Sequence, residues 1–330
     1  MTSNSATLHL AAPSPWWDTK WPYRVELLVG AAGFVRTDHI VSVGVNFTEI
    51  LDSVGEPGTF DPNSVRIVEV DANGAVIDDY IQYQFEGVSA YNATTNADGQ
   101  VVFPLEGTTA PTQTRRYYMY FAKTGAGVGT LQQPSLLTLI DNVTDEGLSS
   151  YRIDTQNATY YYQKVSGGFS SIIDSLGHDW LNYDDATFGA GGTFRGIPNS
   201  VFPEGSLHPG ATDARSVVEI AGPLRIIIRS TTLDGRFGIR WEIYPDHATA
   251  TITKALAYWF LYEGTPGGTL DMARTQWFVP RVSPTSSARR GEDIPGDEWV
   301  YFADGPTNKS LFLAITRTTT SSIRTLTSKG

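Results

Sequence analysis

The chain contains no cysteine, which excludes a disulfide framework and thiolate metal ligands but assigns no compartment. Lysine is scarce, and acids outnumber bases. With 35 Asp and Glu against 24 Lys and Arg, the formal net charge is -11 and the pI is near 4.9. That field argues against nucleic acid or an anionic membrane as partners, because both require a positive potential. No run approaches the ~20 apolar residues that span a bilayer. The N-terminal region also lacks a charged start followed by an apolar core, so the expectation is a secreted protein whose signal has been removed. Missing too are a Gly-rich phosphate loop, a His-Glu-x-x-His pair and a G-x-S-x-G elbow. Nucleotide chemistry and serine hydrolysis therefore lose their usual supports.

Aromatic residues are plentiful, at 12% with 16 Tyr and 8 Trp. Together with abundant Gly, Thr and Ser, they suit pleated, half-exposed strands and turns. They also suit sugar binding, since Trp and Tyr rings pack on the C–H faces of pyranoses while their polar tips meet hydroxyls.

A length of 330 residues implies two domains or one large β domain. After a polar tail (1–15), short alternating runs such as W-P-Y-R-V-E-L-L-V, I-V-S-V-G-V-N-F, S-V-R-I-V-E-V and R-R-Y-Y-M-Y-F recur between turn signals. That spacing predicts an Ig-like β-sandwich over 16–123. The Gly-rich stretch 124–135 reads as a linker, since Thr124–Thr130 has no side chain large enough to anchor a core. Residues 136–330 then read as a larger antiparallel β-sandwich or supersandwich carrying the active site. Only L-Q-Q-P-S-L-L-T-L-I-D and F-S-S-I-I-D-S-L read as short helices. The fold class is all-β.

In the hairpin P-L-R-I-I-I-R-S to F-G-I-R-W-E-I-Y, period two places Leu224, Ile226 and Ile228 on one face and Arg225 and Arg229 on the other. Ile239, Trp241 and Ile243 oppose Arg240, Glu242 and Tyr244 in the same way. One face is apolar, and the other is either a solvated surface or a floor of Arg, Glu and Tyr.

Functional groups concentrate in Gly177–Gly210, which holds His178, Asp179, Trp180, Arg195, Asn199, Glu204 and His208. So long a segment with Trp, Phe and Pro reads as an ordered cover over a site. Tyr244 and His247 end a strand around a Pro turn, and both side chains can hold or release a proton. In Y-W-F-L-Y-E-G-T-P-G-G, Tyr258, Phe260 and Tyr262 alternate with Trp259, Leu261 and Glu263 before an abrupt turn. Glu263 there is a candidate catalyst or a partner for a sheet arginine.

F-R-G-I-P-N, L-H-P-G, G-P-L-R, W-E-I-Y-P and Y-W-F-L-Y-E-G-T-P-G-G, within about residues 150–270, together resemble a group of secreted bacterial β-proteins. That group is associated with polysaccharide breakdown and with galactose-mutarotase-like supersandwich folds. The resemblance implies a carbohydrate substrate class and carries over no catalytic set.

Three readings follow. A polysaccharide lyase needs a cation or amide at the uronate carboxylate, a base for the C5 proton and an acid at the leaving oxygen. Arg195, Asn199, His208, His247 and Tyr244 offer those groups, with His178, Trp180, Arg240, Trp259 and Tyr262 as substrate contacts. A glycoside hydrolase needs two carboxylates about 5–10 Å apart, from Glu263, Asp246, Asp179, Asp184 and Glu204. A binding protein needs only a Trp and Tyr platform, with Trp180, Trp241 and Trp259 as its members. The expected partner in each case is a polysaccharide. No cofactor is required, although Ca²⁺ at Asn182-Tyr183-Asp184-Asp185 stands beside plain turn chemistry. The lyase is favoured because His, Tyr, Arg and Asn gather while no acid pair has a distinctive spacing.

Overall fold

The computed structural model describes residues 7–9, 15–181, 183, 196–199, 212–254, 259–261, 275–278, 298–316 and 322–325. The described elements are strands apart from one α-helix and one short 3-10 turn, and the protein is all-β as its sequence pattern predicts. None of its described helices is long and apolar enough to cross a membrane. The chain divides into two compact units, Met1–Pro134 and Ser135–Gly330.

The first unit contains β1 (Thr7–His9), β2 (Tyr23–Gly30), β3 (Arg36–Asn46), α1 (Phe47–Ser53), β4 (Arg66–Val70), β5 (Val76–Ile81), β6 (Gln84–Gly87), β7 (Asp98–Thr109) and β8 (Thr114–Phe121). They form a five-stranded sheet in the order β1-β2-β8-β4-β5 and a three-stranded sheet β3-β7-β6. Alternation sends Val25, Leu27 and Val29 of β2 and Tyr117, Met119 and Phe121 of β8 into one core. Val41, Val43 and Val45 of β3 and Val101, Phe103 and Leu105 of β7 enter it from the other sheet. This is a two-layer sandwich held by apolar burial.

The helix α1 begins at Phe47, where the alternation of I-V-S-V-G-V-N-F predicts the end of a strand. Its signal is an Asn three residues before a Glu. The Asn46 side chain accepts from the Glu49 amide at 3.3 Å, and its Nδ2 donates to Glu49 Oε1 at 3.1 Å. That variant of a capping box satisfies orphan groups of the first turn. Phe47 and Leu51 are the buried residues of α1.

The outer face of the five-stranded sheet is not bare. Trp21 packs there with Val68, Val70, Tyr118 and Tyr120. The Arg24 guanidinium lies between the rings of Trp16 and Tyr118, at 4.5 and 4.4 Å from their centroids. The Gly-rich stretch, expected to be free of anchors, is fastened to this unit. Thr124 donates its amide to the Thr59 carbonyl at 2.8 Å. The Arg66 guanidinium donates to the Gly129 carbonyl, and the Tyr80 hydroxyl donates to that of Gln132. Gln133 Oε1 accepts from the Tyr83 amide at 2.6 Å. Backbone groups make three of these four bonds, and Val128 and Leu131 pack against the hydrophobic clusters of this unit, so a Gly-rich composition does not make a segment loose.

The second unit contains β9 (Leu137–Asp145), β10 (Leu148–Thr155), β11 (Ala158–Gln163), β12 (Gly168–Asp174), β13 (Gly196–Asn199), β14 (Ala214–Ala221) and β15 (Ile226–Thr232). It continues with β16 (Gly238–Ile243), β17 (Ala248–Lys254), β18 (Trp259–Leu261), β19 (Thr275–Phe278), β20 (Glu298–Asp304), β21 (Lys309–Thr316) and β22 (Ser322–Thr325). A six-stranded sheet runs β18-β13-β12-β11-β10-β9, and an eight-stranded one runs β14-β15-β16-β17-β22-β21-β20-β19.

Both sheets feed one core, in which Tyr160, Tyr162, Phe169 and Ile172 join Ile226, Ile228, Ile239, Trp241 and Ile243. Phe169 meets Trp241 edge to face, with centroids 4.7 Å apart. The Tyr162 hydroxyl reaches the polar limit of that core and pairs with Ser230 Oγ at 2.7 Å.

The two segments read as short helices are strands. L-T-L-I-D lies in β9 and F-S-S-I-I-D is most of β12. Period-two alternation is hidden in β12 because it is buried on nearly its whole length. Its serines are satisfied by a neighbour, since Asp145 Oδ2 accepts from Ser170 Oγ at 2.5 Å and Ser171 Oγ at 3.0 Å.

Candidate functional site

The hairpin β15–β16 places its side chains as period two dictates. Ile226, Ile228, Ile239, Trp241 and Ile243 are core residues. The register pairs Ile227 with Glu242 and Arg229 with Arg240, so these four share the opposite face with Arg225 and Tyr244. This face is closed to solvent where Ile227 is 1% and Arg225 5% exposed, and opens toward Arg229.

The charged side chains on it form a continuous chain of contacts. Arg229 Nε donates to Glu219 Oε1 at 2.5 Å and Arg240 Nε to Glu219 Oε2 at 3.1 Å. Arg240 Nη1 donates in turn to Glu242 Oε1. Arg225 Nη1 lies 3.4 Å from Glu242 Oε2 and 3.2 Å from the Tyr244 hydroxyl oxygen. The Tyr244 hydroxyl donates to Glu242 Oε2 at 2.6 Å.

Tyr244 and His247 close the β16–β17 connection. The Tyr244 amide donates to the His247 carbonyl at 2.7 Å, and Pro245 occupies the second turn position, where its fixed φ is favoured. A turn brings its first and fourth residues together, and here their rings stack with centroids 4.6 Å apart and planes 15° from parallel. His247 Nδ1 is 2.7 Å from Asp246 Oδ1. A carboxylate at Nδ1 fixes the tautomer with its proton there and leaves Nε2 as the basic nitrogen.

The electrostatics separate the roles of these groups. Burial and then the Glu242 charge push the Tyr244 phenol well above its ordinary value, against the opposing pull of Arg225. Burial also opposes charge on Glu242, but the Tyr244 hydroxyl, Arg225 and Arg240 outweigh it and hold that carboxyl below the usual range. At neutral pH the site therefore holds a neutral phenol bonded to a carboxylate. Tyr244 can give a proton but is poorly suited to take one.

Of the residues proposed from sequence, Arg240, Tyr244 and His247 come together on this face and its turn. The pairing of β13 with β18 brings two others into register, Asn199 directly across from Trp259. Arg195, His208, Tyr262 and Glu263 lie outside the described residues, as do Asp184, Asp185 and Glu204. Among the described residues no group of three or more His, Asp or Glu is placed to hold a metal ion.

Trp180 is not a platform for sugar. It is 2% exposed within the core, and its Nε1 donates to Asp174 Oδ2 at 3.1 Å. Trp241 is fully buried as well. His178 is a turn residue whose Nδ1 lies 3.5 Å from Asp174 Oδ1, and whose amide donates to that same oxygen at 3.0 Å. Asp174 also accepts from the Leu176 amide at 2.8 Å, so Asp174, His178 and Trp180 serve to set the turn after β12. That turn borders a small crevice lined by Tyr160, Ile172, Asp174, Trp180 and Ser310. Asp246 stands within electrostatic reach, its charge adding to the burial that pushes the Tyr160 phenol up.

Sequence reasoning singled out Tyr244, His247 and Arg240 but gave no role to Glu219 or Arg225. Glu219 sits where the β14–β15 register shifts between Val218 and Ile220. A bulge redirects a side chain in a way that simple alternation does not foresee. Scans against protein families, curated proteins and solved structures return no match to this chain.

Proposed function

We propose that this protein cleaves a uronic-acid-containing polysaccharide by β-elimination, with the turn Tyr244–His247 as the reacting centre. The observation that carries the reading is the stacked Tyr244 and His247 pair, with Asp246 on one side of the imidazole and Arg225 and Glu242 on the phenol. In this scheme His247 Nε2 removes the C5 proton of the uronate. The C–H electron pair forms the C4=C5 double bond, the C4–O bond breaks, and the leaving oxygen takes the Tyr244 proton. Arg225 then stabilises the phenolate until a proton returns, because it already donates toward that oxygen. Arg225, whose guanidinium lies beside the Tyr244 hydroxyl, is also the cation for the substrate carboxylate, and Arg240 is a substrate contact farther along the face.

The test is incubation with a panel of polyuronates and neutral glycans. Ultraviolet absorbance reports the conjugated unsaturated uronate, and a reducing-end assay runs alongside. Rising absorbance on a polyuronate, lost in His247→Ala and in Tyr244→Phe, is the expected result. New reducing ends without absorbance would overturn elimination in favour of hydrolysis.

Hydrolysis has one specific observation on its side. Burial pushes the Asp179 carboxyl up despite hydrogen bonds from the Leu181 and Ile172 amides and from Ser171, and the Asp145 charge adds to that effect. Ser171 also donates to Asp145. Two neighbouring carboxyls, one of them held toward its protonated form, are what acid-assisted glycoside cleavage uses. Loss of reducing-end release in Asp179→Asn with His247→Ala unaffected would select it.

A further inference from the structure

The geometry points to an anion subsite built by Arg229 and Arg240, which takes a carboxylate or sulfate ester on a sugar neighbouring the one at Tyr244 and His247. Arg229 and Arg240 are direct cross-strand partners. Two like charges in that position repel, and a sheet tolerates the arrangement only when something neutralises it. Glu219 does so in part. It accepts from the Nε of each arginine on a separate oxygen; with Glu242, which bonds Arg240 and Arg225, two carboxylates stand against three guanidiniums on this face.

The way Glu219 holds them matters more than the charge count. Both guanidiniums are gripped at Nε, which orients the planes and leaves terminal Nη groups available. Arg240 uses Nη1 on Glu242. The Arg229 side chain is 52% exposed, and among the described residues its Nη groups meet no acceptor. A planar fork fixed from behind and open in front matches a carboxylate or sulfate. A third anion would relieve the remaining repulsion.

The position fits an extended ligand. Arg240 and Tyr244 are four residues apart along β16 and its end, which is ~13 Å at the rise of a strand. Glu242 lies between them on the same face, and Arg225 joins Glu242 to Tyr244 at the far end. A ligand lying along this strand direction would therefore have its reacting sugar at the Tyr244 end and a further acidic sugar at the Arg229 end. The inference rests on the lyase reading only for the first of these; capture of the anion does not require it.

The experiment measures binding of the full chain to three size-matched oligosaccharides: a polyuronate, a sulfated neutral glycan and the carboxyl-reduced polyuronate. Wild type, Arg229→Gln, Arg229→Lys and Arg152→Gln are compared, with melting temperatures recorded for each. Binding of at least one anionic oligosaccharide is expected to weaken about tenfold in Arg229→Gln, the scale of one charge-assisted contact. Arg229→Lys should recover part of it, and Arg152→Gln, on the other sheet, should bind as wild type does. The anionic oligosaccharide that responds identifies the group as carboxylate or sulfate. Equal binding by wild type and Arg229→Gln at unchanged melting temperature would overturn the subsite, as would a carboxyl-reduced form that binds as tightly as the tightest anionic oligosaccharide, or no anionic binding at all. Binding that depends on Arg229 without any unsaturated product would remove the lyase reading and leave the subsite standing.

Discussion

Glu242 accepts the Tyr244 hydroxyl at 2.6 Å while Arg240 and Arg225 approach it from the other sides. A half-buried carboxylate is thereby kept ionised by three donors, and its charge is linked to stability. Its folded pKa is lowered, so the contribution is complete above the unfolded glutamate value of about 4.3 and fades as pH falls through the lower folded value. Urea midpoints of wild type and Glu242→Gln should accordingly differ most near neutrality and converge in acid. A gap that stays constant with pH would refute the linkage.

Asp179 has the opposite sign. Its folded pKa is raised, chiefly by burial, so its contribution is full below the unfolded aspartate value of about 3.9 and is lost as pH rises through the folded value. Asp179→Asn keeps an oxygen to accept from the Ile172 and Leu181 amides, which Oδ1 now does at 3.0 and 2.9 Å. The variant should match or exceed wild type in thermal stability at pH 7 and fall behind in acid. A variant less stable at neutral pH than in acid, relative to wild type, would contradict this.

Trp180 is a core residue with one polar obligation, its bond to Asp174. Trp180→Ala should cost about 3–5 kcal/mol, the range for large aromatic deletions. Trp180→Phe should cost less, and it should leave glycan binding unchanged. Reduced glycan affinity in a fully folded Trp180→Phe would show the ring to be a substrate contact after all.

In the first unit Arg115 grips Glu69 bidentately, with Nε to Oε1 at 2.7 Å and Nη2 to Oε2 at 2.5 Å, both side chains 10% exposed. Removing one partner leaves a charge in a dry place, so Glu69→Gln or Arg115→Met alone should destabilise by about 3–5 kcal/mol. The double variant should recover much of that loss. A double-mutant cycle in denaturant decides the matter, and additive losses would mean that the pair is not coupled.

Much of this architecture is legible in residue order. The alternation in Leu224–Ser230 and Phe237–Tyr244 needs only the two-residue period of a strand, and it correctly divides core from charged face. Pro245 between Tyr244 and His247 announces the turn that stacks their rings. Where the period is masked the reading fails. In β12 both faces are buried, so F-S-S-I-I-D shows no alternation, and its serines owe their place to Asp145, more than twenty residues away in sequence. Trp180 fails for a related reason, since an aromatic in a polar segment carries no local mark of whether its ring faces a ligand or a core.

The sequence by itself determined the all-β class, the face assignments of the β15–β16 hairpin and the nearness of Tyr244 to His247, because each depends on backbone periodicity and turn chemistry within a few residues. Only the tertiary structure decided that Glu219 clamps Arg229 and Arg240, that Arg225 reaches Tyr244, and that Trp180 is buried. Those contacts join separate strands through a bulged register and the packing of two sheets, and such long-range pairings leave no signature in the order of neighbouring residues.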